Sequence, residues 1–116
     1  MLKNSVELRK EQIESLRGGK GTAELVHILE KDQLNNKGRL FAKIKLKPGV
    51  SIGYHKHEGD FEGYYFIKGE GTYTEDDKEY SVKAGDFTLV AVDHSHGIEN
   101  TGTEDLEFIA LILFAN

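Results

Sequence analysis

Apolar and polar residues alternate over most of the chain. From Leu40 to Lys47, Leu40, Ala42, Ile44 and Leu46 share one side, while Lys43, Lys45 and Lys47 share the other. That period of two is what a strand with one buried face requires. Thr22–Glu30 reads as another strand, and Pro48–Gly49 marks a turn. Gly63–Thr74 and Lys78–Val92 follow, with the acidic run Thr74–Glu79 predicted as a hairpin loop between them. A second loop is predicted over Thr101–Asp105, and Leu106–Phe114 closes the chain as a nearly continuous apolar strand. Short strands at this spacing predict an all-β barrel or sandwich. Only Ser5–Leu16 has a helical spacing, through Val6, Ile13 and Leu16, with Ser5 available as a cap. The glycine-rich Arg17–Gly21 sets glycines beside a basic residue, a combination that could cradle an anion, but it reads first as the stop and turn after that helix. The expected organisation is an N-terminal helix and turn over residues 1–21, then a barrel over 22–116, forming a single domain.

Composition narrows the functional classes. A chain of 116 residues has room for one core. It has no cysteine, which removes disulfides, thiolate metal sites and cysteine nucleophiles, and fits a cytoplasmic location. No apolar run is long enough to span a bilayer, so no membrane association is expected. The formal charge is −5 and the lysines are scattered, which argues against a nucleic-acid partner.

The chemistry concentrates in Tyr54–Gly71. His55 and His57 are separated by one residue, so on a strand they face the same side with Cα atoms about 6.5–7 Å apart. Glu62 follows across a short loop, where the chain can reverse and return the carboxylate beside the two imidazoles. These three side chains form a candidate metal-binding face. His94 and His96 form a second such pair, so four of the five histidines lie in two H-x-H pairs. His27, alone on an apolar strand, reads as a satisfied core histidine.

Those residues carry a family resemblance. Gly49, His55, His57, Glu62 and Gly69 stand at the spacing of the first cupin motif, and Gly85, His96 and Asn100 at that of the second. Ala91 and Asp93 replace the proline and glycine usual in the second motif; Asp tolerates the left-handed backbone better than most residues. The chain therefore resembles the cupin family. The resemblance implies a double-stranded β-helix, a jelly-roll barrel, with a metal in its mouth held by His55, His57, Glu62 and His96. His94 is the competing donor and is expected at the pocket rim.

Three imidazoles and a carboxylate admit several divalent transition metals; Mn or Fe is favoured, with Zn and Ni also compatible. Glu58 and Asp60, in the loop between ligands, are candidate general bases. Tyr64 and Phe66 share the Glu62 face and are expected to line the pocket, whereas Tyr54 points away and is expected to pack. Arg39 falls by parity on the lysine face, away from the barrel, which weakens a dicarboxylate ligand. Two classes follow: a metal-dependent enzyme acting on a small oxygen-rich molecule by oxidation, decarboxylation or isomerisation, or a non-catalytic module that binds or senses such a molecule or a sugar. Because Ile109, Leu111 and Leu113 leave the outer face of the last strand apolar, a homodimer is expected.

Overall fold

The computed structural model describes residues 1–116. Ten strands make two antiparallel sheets: β1 (Lys10–Glu14), β2 (Thr22–Leu29), β3 (Gly38–Leu46), β4 (Ser51–Lys56), β5 (Asp60–Lys68), β6 (Glu70–Glu75), β7 (Lys78–Lys83), β8 (Phe87–Val90), β9 (Ser95–Glu99) and β10 (Leu106–Phe114). One sheet has the order β1-β2-β3-β10-β5-β8, the other β4-β9-β6-β7. The fold is the all-β jelly roll that the alternation and the motif spacing predict. No helix is long and apolar enough to cross a membrane.

The inner faces of the two sheets supply the core. Ala42, Ile44 and Leu46 of β3 meet Phe108, Ala110 and Ile112 of β10, all buried. Tyr64, Phe66 and Phe108 pack ring against ring with centroids 4.6–6.1 Å apart, where each buried aromatic excludes a large apolar area from water. The turns follow the expected chemistry. Gly49 (φ 84°) sits in a turn closed by the Val50 N–H donating to the Lys47 carbonyl at 3.0 Å. Asp76 and Asp77 both take positive φ in the two-residue β6–β7 loop, the backbone that tight hairpin turns need. Asp93 also has positive φ, 70°, so aspartate replaces glycine there as its short polar side chain allows. Asn100 is buried; its amide donates to the carbonyls of Leu46 and Glu104, and its Oδ1 accepts from the Gly102 N–H.

The N-terminal segment departs from expectation. Instead of a helix over Ser5–Leu16, only Ser5–Glu7 forms a 3-10 turn, and β1 pairs with β2. Tertiary pairing overrides the weak helical spacing. Glu11 and Ile13 alternate inward, so Ile13 and Leu16 pack against the core while Val6 is exposed. This segment is a wall of the barrel interior. It does not cover the apolar outer groove formed by Phe41, Phe61, Tyr65, Phe87, Leu89 and Leu111.

Candidate metal centre

Three strands bring four donors to one point inside the barrel. His55 lies on β4, His57 just beyond its end, Glu62 on β5 and His96 on β9. Their ligand atoms all lie within 4.8 Å of one another. His57 Nε2 is 3.2 Å from His55 Nε2, 3.1 Å from His96 Nε2 and 3.1 Å from Glu62 Oε1; His96 Nε2 is also 3.1 Å from that oxygen. His57, Glu62 and His96 are almost fully buried, and Tyr64 stacks on the His96 ring at 5.0 Å.

The outer partners of the rings decide which nitrogens face inward. His55 Nδ1 is 2.6 Å from the Gly53 carbonyl, so that nitrogen must carry the proton. His57 Nδ1 donates to Asp60 Oδ1 at 2.6 Å. Tyr73 donates its hydroxyl to Glu75 at 2.9 Å and accepts from His96 Nδ1 at 3.0 Å. With all three Nδ1 atoms donating outward, three Nε2 lone pairs and a carboxylate oxygen converge, a combination that attracts a cation. Adjacent donors around an ion with bonds of about 2.1 Å are about 3.0 Å apart in an octahedron and about 3.4 Å in a tetrahedron. The observed 3.1–3.2 Å contacts fall between the two spacings. The residues fit a resident metal ion.

Electrostatics divide the donors. Burial lowers the His55 pKa to about 4, keeping the ring neutral. Burial also opposes charge on His57, but Glu62 and Asp60 overcome it and raise the pKa. Glu62 is pushed up by burial and pulled down further by His57 and His96, so it stays a carboxylate. One proton on His57 can bridge toward Glu62, the place that a bound ion would take.

His55, His57 and Glu62 line a cavity of about 200 Å³ whose other side is new. Glu11, Arg17, His27 and Arg39 all face it. His27 is buried as expected, with Nε2 2.8 Å from Glu11 Oε1. Arg39 does not point away from the barrel. Ile112 pairs with Leu40 and Leu113 with Gly38, so Arg39 is the extra residue of a bulge. Bulges re-aim side chains, and Arg39 and Leu40 both line the cavity. A similar irregularity in β4, where Ile52 pairs with Ile98 and His55 with His96, turns both Ile52 and His55 inward.

Other candidates fall elsewhere. Asp60 is buried between His57 and Arg39, whose Nε is 2.7 Å from Asp60 Oδ2; it orients a ring where a rim base was expected. Glu58 is exposed and does not line the cavity. Tyr64 lines it, but Phe66 lies beneath, in the core. His94 does not line the cavity: it is exposed and bonded to Asp76. Tyr54 does not line the cavity and is half exposed. Alternation gave no sign of Arg39, since a bulge reverses parity. The spacing of Glu11 and Ile13 was the available sign of β1.

The cupin domain model matches residues 42–112, which carry all four donors. The chain belongs to the cupin family. It is 50% identical over 113 residues to an oxalate-binding protein of Thermotoga maritima, covering 97% of this chain and 93% of that protein. The crystal structure of a predicted oxalate decarboxylase from T. maritima superposes with a TM-score of 0.93 at 49% identity, covering 98% of this chain and 99% of that one. A putative sugar phosphate isomerase from Acidithiobacillus ferrooxidans gives 0.66 at 27% identity, covering 78% of this chain and 59% of that one.

Proposed function

We propose that this protein holds one divalent transition-metal ion, manganese or iron, through His55, His57, Glu62 and His96, and binds a small chelating acid of the oxalate type beside it. The observation that carries this reading is the convergence of three outward-tethered imidazoles and a buried carboxylate on a small cavity that also receives Arg17 and Arg39. Four protein donors around a six-coordinate ion leave two positions, and a bound ion would supply a Lewis-acid seat for two ligand oxygens. The chain supplies the rest: a cavity that limits ligand size, guanidinium groups that complement anionic oxygens, and apolar walls at Ile52, Ile112 and Leu40 that exclude water. The oxalate-binding relative supports the ligand class.

Cobalt(II)-loaded protein titrated with oxalate tests this reading. A saturable change in the visible spectrum at one oxalate per metal is expected. A spectrum indifferent to oxalate and to other chelating acids would leave the metal a structural role only.

One observation favours turnover of the bound acid by decarboxylation, oxidation or isomerisation. The Glu11–His27 pair faces the same cavity and is not committed to the donor cluster, so it can deliver or accept a proton. Incubation of the metal-loaded protein with candidate acids, followed by product analysis, separates binding from turnover. We also propose that the uncovered outer groove pairs two chains. Leu111→Asp should lower the mass measured by light scattering from twice the 13.0 kDa chain mass to the chain mass itself.

A further inference from the structure

We infer that Arg17 selects the charge of the ligand: it reads the anionic end of the acid that lies away from the metal donors. This inference rests on the proposed acid-binding function.

The backbone supplies the first observation. Arg17 has φ 54° and Ser15 φ 55°, a left-handed conformation that non-glycine residues adopt at a cost. Gly18 next to Arg17, which could adopt it freely, has positive φ as well. An arginine kept at a strained position needs a compensating role. The second observation is that this turn is built in place. The Ser15 N–H donates to the Gly21 carbonyl at 2.9 Å, the Ser51 N–H donates to the Lys20 carbonyl at 2.9 Å, and Ser51 Oγ accepts from the Lys20 N–H at 2.9 Å. A Cβ on Gly53 would lie 2.1 Å from the Arg17 carbonyl oxygen, so glycine there lets the turn seat against β4, the strand that bears His55.

The third observation is charge. The other two arginines are committed: Arg9 to Glu11 and Glu30, and Arg39 to Asp60. Arg17 makes no ion pair; it is exposed to solvent and, with His55, is one of the residues lining the cavity. Arg39 spends its charge on the carboxylate that orients His57, which leaves Arg17 as the uncommitted cation on the cavity. A dianionic chelator placed against the donors presents its outer oxygens to that cation, and a guanidinium matches a carboxylate with two parallel hydrogen bonds. A ligand with an amide in place of one carboxylate gains much less.

The test compares cobalt-loaded wild type with Arg17→Gly, titrated with oxalate and with oxamate, its single-charge analogue. Arg17→Gly should keep full metal content. Its melting temperature should hold or rise, because glycine accepts positive φ without strain. Its oxalate affinity should fall about tenfold or more, and its oxamate affinity by less. Arg17→Asn, which tolerates the same backbone, serves as the second variant and should show the same loss. A purely structural role would lower the melting temperature and weaken both ligands equally. Unchanged oxalate affinity in both variants, with oxalate still binding, overturns the assignment to Arg17 alone. A wild-type spectrum that never responds to oxalate overturns it together with the functional reading beneath it.

Discussion

The cavity has two walls of different character. The wall made by β4, β5 and β9 carries the donors; it is buried and lies within the stretch matched by the cupin model. The opposite wall, with Glu11, Ile13, Arg17, His27 and Arg39, lies before that stretch and is more exposed. On the donor wall each imidazole is constrained twice, by the common point inside and by an outer hydrogen bond. On the other wall the groups are held by ion pairs or by backbone alone. The contrast separates two parts of the proposed function: the donor wall would hold the ion, and the N-terminal wall would meet what the ion binds.

The largest effect should come from breaking the donor wall at its centre. His57 is the donor within 3.2 Å of all three others. His57→Ala should reduce metal from about one ion per chain to near zero by elemental analysis, a larger loss than the roughly 10–100-fold typical of an outer-shell change. Stoichiometric metal in that variant would remove the site as described. The next largest effect should come one shell out. Asp60→Ala removes the acceptor for His57 Nδ1 and strands Arg39, so metal affinity should fall about 10–100-fold while Arg17→Gly leaves it alone. If both variants lose metal equally, the two walls are not functionally separate.

How much of this was legible follows from the same contrast. Spacing on regular strands is readable: His55 with His57, and Glu62 with Tyr64, obey a period of two, and the chain places them as that period requires. His96 was legible through the family motif and not through periodicity. The second wall was largely hidden. Arg39 reverses face because a bulge inserts one residue, which no count of alternation detects. Arg17 reaches the cavity through a turn with two left-handed non-glycine residues, whereas the glycines beside it read first as a turn, with an anion cradle only as the alternative. The N-terminal strand was masked because Val6, Ile13 and Leu16 have helical spacing, and pairing with β2 decided otherwise.

A smaller effect sharpens the comparison through acid. In the metal-free protein His55 has its pKa lowered by burial to about 4, against 6.5 when unfolded. Between those values the unfolded chain binds a proton that the folded site refuses, so His55 makes stability fall as pH drops from 6.5 toward 4. His57 acts oppositely: its raised pKa gives stability that is present below 6.5 and lost as pH rises through the folded value. Melting temperatures of metal-free protein from pH 7 to 4 should therefore drop less steeply in His55→Asn than in wild type. An unchanged slope would place the acid sensitivity elsewhere.

The smallest effect lies outside both walls, two residues from a donor. His94 shares the H-x-H pair with His96 but is exposed, and its hydrogen bond from Nδ1 to Asp76 raises its pKa above 6.5. The same bond, with the Ser95 N–H donating to the other Asp76 oxygen at 3.1 Å, lowers the aspartate. The sign at His94 is opposite to that at His55. Any stabilisation by the His94–Asp76 pair is present between the ordinary aspartate range and pH 6.5; it fades as pH rises through the His94 value in the folded protein and as pH falls through the lowered Asp76 value. Solvent screens an exposed pair strongly, so the effect on melting should be close to nothing and salt should weaken it. The direct readout is the His94 ring resonance in an NMR titration. Its midpoint should lie above 6.5 in wild type and return toward 6.5 in Asp76→Asn, with metal content unchanged. If Asp76→Asn also released metal, His94 would be tied to the donor cluster, and the line between ligand and surface histidine would have to be redrawn between residues 94 and 96.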